Sequence, residues 1–98
     1  MSNFVQPQQL SVVVPVRNEQ DNVASLIAEI NAALQPVIQH EIIYVDDGST
    51  DGTYATLKEL QRQYTQLRIV RHAKSCGQST AVRTGVKLAK FDWIATLD

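Results

Sequence analysis

Four short apolar runs alternate along this chain with three longer stretches that are apolar on one side only. Leu10 to Val14 (LSVVV) is continuous and rich in β-branched residues, the pattern of a strand buried on both faces. Pro15 is expected to end it, because proline donates nothing to a sheet ladder. Val23, Leu26, Ile27, Ile30 and Leu34 then recur at helical spacing and form one stripe. Asn18 is the expected cap of that helix, with Asp21 three residues on, and Pro36 falls beyond its end.

Glu41 to Val45 (EIIYV) reads as a second buried strand, and Asp46 to Gly52 (DDGSTDG) is turn chemistry throughout. A second helix is expected over 53–64, with Leu57, Leu60 and Tyr64 on one side and Thr50 or Asp51 as its cap. Leu67 to Arg71 reads as a third strand, and its interspersed charges suit a sheet edge. After a loop over 72–78, a third helix is expected over 79–90, with Val82, Val86 and Ala89 inward. Gly85 shares that face and permits close packing. Trp93 to Leu97 is the fourth strand, with Phe91 and Trp93 read as core. Met1 to Gln9 reads as a loose tail, and residues 10–98 as one unit.

The order β-α-β-α-β-α-β with short connections predicts an α/β fold, a mostly parallel four-stranded sheet with helices on its faces in the Rossmann manner. In such sheets ligands bind beyond the carboxyl ends of the strands. The polar clusters Pro15–Glu19, Asp46–Ser49, Arg71–Gln78 and Asp98 all follow strand ends, so one rim is expected to carry the chemistry. Carboxylates gathered there suit hydrogen bonding to a base or sugar, or a hard cation such as Mg²⁺ that also takes substrate phosphates. Arg71, Lys74 and Arg83 offer positive charge nearby, against the plainer reading that they are surface charges. No Gly-x-Gly-x-x-Gly follows the first strand and no Gly-Lys-Ser/Thr loop is present, which disfavours backbone cradling of phosphates.

With 44% hydrophobic and 19% charged residues in 98, the chain is ordinary globular material. A formal net charge of −1 gives no counterion-releasing surplus of Lys and Arg, so no nucleic acid partner is expected. Cys76 is the single cysteine, which leaves no internal disulfide and fits a reducing, cytoplasmic setting. The opening residues lack the apolar core of a signal peptide, and no apolar run approaches the roughly 20 residues that span a bilayer. His40 and His72 read as exposed, and Cys76 as a small loop residue rather than a nucleophile.

Val14-Pro15-Val16-Arg17-Asn18-Glu19, Val45-Asp46-Asp47-Gly48-Ser49-Thr50-Asp51-Gly52-Thr53, Gly77-Gln78-Ser79-Thr80-Ala81 and Ala95-Thr96-Leu97-Asp98, in this order, resemble the opening of an inverting family 2 glycosyltransferase. The branch they look most like is the polyprenyl-phosphate sugar synthases, similar to dolichyl-phosphate mannose synthase. The resemblance runs from Leu10 to Asp98 and implies the GT-A fold, a nucleotide-diphosphate sugar donor, and Mg²⁺ or Mn²⁺. It implies that Pro15, Arg17 and Glu19 line the nucleotide pocket, that Asp47 accepts a hydrogen bond from the base, and that Asp46 supports the turn. Lys74 and Arg83 become diphosphate candidates. Asp98 becomes the catalytic first carboxylate of an Asp-x-Asp metal motif whose second member would lie two residues later. Arg17 departs from the aromatic residue common at its position, and Lys74-Ser75-Cys76 departs from a frequent Asn.

The implied reaction is direct displacement with inversion onto an acceptor, a polyprenyl phosphate lipid or a glycan, at the cytoplasmic face of a membrane. Ending at Asp98, the chain itself is expected to bind nucleotide weakly and to transfer nothing. An uncovered fourth strand is expected to favour association into homo-oligomers. Two other readings compete. A receiver-like signalling domain also places an acidic pair after a strand, and it would make Asp98 a phosphoacceptor. A catalytically dead module would hold a nucleotide and no more.

Overall fold

The computed structural model describes residues 9–97. Of the loose tail expected over residues 1–9, only Gln9 is among them, and it opens the first strand; the roles expected of Asp98 lie outside them. The apolar runs pair as predicted: β1 (Gln9–Val16), β2 (Gln39–Asp47), β3 (Leu67–His72) and β4 (Trp93–Thr96) form one sheet, joined by α1 (Val23–Leu34), α2 (Thr53–Leu60) and α3 (Gln78–Leu88). All pairings are parallel, and the strand order is β3-β2-β1-β4.

That order decides between two of the sequence readings. The chain steps from β1 to β2 to β3 in one direction, then returns to place β4 on the other side of β1. A receiver would set its third strand directly beside its first. The signalling reading therefore fails on topology. The reversal also explains the layers. Right-handed crossovers put helices on one face while the chain steps one way, and on the opposite face when it turns back. Accordingly Val12, Val14, Val16, Ile42 and Tyr44 pack with Val23, Ile27, Ile30 and Leu57 of α1 and α2, while Val13, Ile43 and Val45 pack with Ala81 of α3. Each such fully buried aliphatic side chain stabilises by about 1.5–3 kcal/mol.

Several local expectations need correction. Pro15 does not end β1, which runs on to Val16. Val13 O accepts from Leu97 N at 2.9 Å, so the nitrogen two residues on, that of Pro15, points to the same side, past the last β1–β4 register pair at Val13 and Thr96. No hydrogen bond is lost there, which is the circumstance in which a strand tolerates proline. His40 is not an exposed loop residue but a buried member of β2. The inward face of α3 is turned from the expected one: Ala81 and Gly85 are buried, while Val82 is half-buried and Val86 is exposed. A Cβ on Gly85 would overlap Val13 Cγ1, so the helix lies against β1 along its small residues. Trp93 is 51% exposed rather than core, because β4 is a short edge strand. Nor do all polar clusters share one rim. At the amino ends of the strands, buried Glu41 accepts from Ser11 Oγ at 2.6 Å, Lys90 N at 2.6 Å and Arg68 Nη1 at 2.7 Å, tying the α3–β4 connection to the sheet.

Candidate active site

The carboxyl ends of β1 and β2 carry two loops that are laced together. Asn18 N donates to Ser49 Oγ at 2.9 Å, and Asn18 Oδ1 accepts from Thr50 N at 2.8 Å and Asp51 N at 3.3 Å. Glu19 N donates to Thr53 Oγ1 at 3.0 Å, and Gly52 N to Gln20 Oε1 at 2.8 Å. Asn18 is therefore not the cap of α1, which begins beyond Asn22. It sits in the left-handed region, φ 55°, a conformation that asparagine adopts more readily than most residues. Asp51 does act at the start of α2, its Oδ1 accepting from Thr53 N at 2.9 Å. This lacing presents the side chains of Arg17 and Glu19 outward, and Glu19 Oε2 accepts from Asn22 Nδ2 at 2.7 Å.

Asp46 and Asp47 belong to β2, so their side chains take opposite faces. Asp46 is fully buried; its Oδ1 accepts from Ser49 N at 3.0 Å and its Oδ2 lies 3.9 Å from Arg71 Nε. It holds the turn from behind. Arg71 is engaged by it and stacks over the Tyr54 ring at 4.4 Å.

Asp47 faces α3. The parallel register sets it beside His72, whose Nδ1 lies 2.8 Å from Asp47 Oδ1. Cys76 N donates to Oδ1 at 2.7 Å, while Gly77 N at 2.9 Å and Ser75 Oγ at 3.0 Å donate to Oδ2. Burial by itself raises the carboxyl's pKa, but the bonds from His72, Cys76, Gly77 and Ser75 favour the charged form and hold it down at about 2. Asp47 is thus a fixed negative charge with its acceptor positions spanned by the 75–77 loop. Two glycines make this approach possible. Gly48, at φ 71°, lies so close to the loop that a Cβ would stand 2.5 Å from Ser75 N; Gly77, at φ 98°, turns the chain into α3.

Pro15, Val16, Arg17, Glu19, Asp47, Ser75, Gly77 and Gln78 line an open cleft of about 340 Å³. Four residues singled out in the sequence, Pro15, Arg17, Glu19 and Asp47, therefore meet in one place, beside the point between β1 and β4 where the strand order reverses. Asp46 backs the cleft without lining it, and Lys74 and Arg83 are exposed outside its lining. His72, expected to be exposed, is largely buried and acts as a buttress to Asp47. Nothing in its spacing marks Ser75 as a partner of Asp47, and the Gly77-Gln78 motif carries no role in the sequence alone. Among the described residues, no three carboxylates gather in one cluster, and no helix is long and apolar enough to cross a membrane.

The glycosyl transferase family 2 model matches residues 11–98, and the chain belongs to that family. It is 38% identical over 96 residues to dodecaprenyl-phosphate galacturonate synthase of Rhizobium johnstonii, covering 96% of this chain and 28% of that protein. It is 37% identical over 89 residues to dolichol-phosphate mannosyltransferase of Pyrococcus furiosus, covering 91% of this chain and 25% of that protein. Among solved structures it resembles mannosyltransferase PcManGT from Pyrobaculum calidifontis in complex with GDP-Man and Mn²⁺, with TM-score 0.81, 24% identity, and coverage of 92% of this chain and 26% of that one. Its fold is the opening portion of the GT-A architecture, and it spans about a quarter to three tenths of these relatives.

Proposed function

We propose that this chain is the nucleotide-sugar-binding part of a glycosyltransferase that moves a sugar, with inversion, from a nucleotide-diphosphate donor to a polyprenyl phosphate acceptor. One observation carries the reading: a buried, fixed carboxylate, Asp47, lies at the foot of a cleft whose lip is Pro15, Arg17 and Glu19, at the switch point of a parallel sheet. Relatives named for dodecaprenyl phosphate and dolichol phosphate support the acceptor class, and a neighbour holding GDP-Man supports the donor class.

In this reading Asp47 accepts from the base, and the 75–77 loop, which now fills its acceptor positions, yields one of them to the ligand. The Arg17 guanidinium offers a flat face for stacking. Lys74 and Arg83 lie outside the cleft lining, so a diphosphate role for them requires side-chain movement on binding. A divalent cation, Mg²⁺ or Mn²⁺, would offset the charge of the departing diphosphate. The family resemblance gives the metal role to Asp98. An acceptor phosphate is already ionised near neutral pH, so positioning, rather than a protein general base, would carry the attack. The intact enzyme would work at the cytoplasmic face of a membrane.

A thermal-shift panel of nucleotide-diphosphate sugars with Mn²⁺ tests the reading. Stabilisation by one nucleotide class, lost in Asp47→Ala, is expected; indifference to every donor contradicts it.

A further inference from the structure

Asp47, His72 and Cys76 bring one oxygen, one nitrogen and one sulfur donor within 4.8 Å of one another, the single such cluster among the described residues. Its members are oriented from behind. Ser75 Oγ and Gly77 N hold Asp47 Oδ2, which leaves Oδ1 on the side of His72 and Cys76. His72 Nε2 lies 2.9 Å from Thr84 Oγ1, and the Thr84 hydroxyl donates to Thr80 O at 3.0 Å. A hydroxyl has one proton to give. With it on Thr80 O, Thr84 accepts from Nε2–H. The other ring nitrogen faces a carboxylate oxygen at 2.8 Å, a separation that a shared proton or a metal ion bridges. A polar partner on the far nitrogen that aims the near one is also how metal-bound histidines are held.

The donors choose the ion. Mg²⁺ and Mn²⁺ prefer oxygen ligands, whereas carboxylate, imidazole and thiolate together suit zinc. We propose that Asp47, His72 and Cys76 form a binding site for a borderline transition-metal ion of the zinc class, chemically distinct from the hard-cation role assigned to Asp98. On binding, the ion takes the lone pair of His72 Nδ1, the ring proton staying on Nε2 towards Thr84, and replaces the thiol proton of Cys76, which passes to solvent. The Cys76 thiol leaves Lys74 O, which it now faces at 3.3 Å, and closes on the carboxylate. Metal–ligand bonds of about 2.0–2.3 Å require only that Asp47 and His72 part slightly while the thiol moves in. Cys76 is exposed, so its thiol is free to turn. One consequence rests on the proposed function: an ion on Asp47 competes with the nucleotide base.

The experiment is a titration of the full chain with Co²⁺, without nucleotide, followed by near-ultraviolet and visible absorbance. A thiolate-to-cobalt band saturating at one ion per chain and displaced by Zn²⁺ is expected. It disappears in Cys76→Ser and in wild-type chain alkylated at Cys76. Thr84→Val, which removes only the group behind His72, weakens binding by roughly tenfold or more. His40→Ala changes nothing. Absence of the band in folded wild-type chain, or its survival in both Cys76→Ser and His72→Asn, overturns the site. Nucleoside diphosphate binding is then measured with and without Zn²⁺. If cobalt binds as described while nucleotide binding ignores both Zn²⁺ and Asp47→Asn, the metal site stands and the nucleotide role of Asp47 falls.

Discussion

The side-chain oxygen of Asn18 accepts the backbone N–H of Thr50 at 2.8 Å, across 32 residues of sequence, and so joins the loop that presents Arg17 and Glu19 to the loop that follows Asp47. Asn18 performs this from the left-handed region. Asn18→Ala removes the acceptor and adds backbone strain, and should cost about 1–3 kcal/mol. Asn18→Asp keeps an acceptor and should cost less, and Asn18→Gly should recover the strain but not the bonds. Urea unfolding of the three variants orders them.

Gly48 is the second position where backbone freedom serves the site. Its positive φ and the nearness of Ser75 N leave no space for a methyl group. Gly48→Ala should destabilise by about 1–3 kcal/mol and push the 75–77 loop off Asp47. Amide hydrogen exchange should show faster exchange at Cys76 and Gly77, whose N–H groups lose their acceptor.

Packing rather than turn geometry governs Gly85. Gly85→Val would drive a branched side chain into Val13 and Val45 and should cost about 1–3 kcal/mol or more, while Val86→Ala, on an exposed position, should stay within about 0.5 kcal/mol. Denaturant midpoints separate the two.

Acid stability follows from two buried carboxylates. Burial raises both pKa values, but hydrogen bonds outweigh it. Asp47 falls from 3.8 to about 2 through His72, Cys76, Gly77 and Ser75, and Glu41 falls below 4.5 through Ser11, Lys90 and Arg68. A lowered folded-state pKa contributes stability that is fully present above the unfolded value and is lost as pH falls through the folded one. In metal-free buffer, stability should therefore decline from about pH 4.5 towards pH 2. Asp47→Asn should be less stable at pH 6 and should flatten the lower part of that decline.

The element order was legible because strands buried on both faces are continuous apolar runs and α1 carries a regular stripe. The convergence of Pro15, Arg17, Glu19 and Asp47 was legible from strand ends alone. The face of α3 was not, because helix and sheet meet through Ala81 and Gly85, and small residues give a hydrophobicity pattern little weight. Pro15 misled because its missing N–H lies past the β1–β4 register, a fact of pairing rather than composition. The partners of Asp47 were hidden by sequence distances of 25 to 30 residues. Register alone would have found His72, had β3 been extended by that one residue.

Amide chemical-shift mapping of the chain with nucleoside diphosphates tests the central claim most directly. Shifts should cluster on Val16 to Glu19, Asp47, Gly48 and Ser75 to Gln78, and should vanish in Asp47→Asn. Perturbations centred on the Ser11–Glu41–Arg68 end of the sheet, or unchanged in that variant, would contradict it.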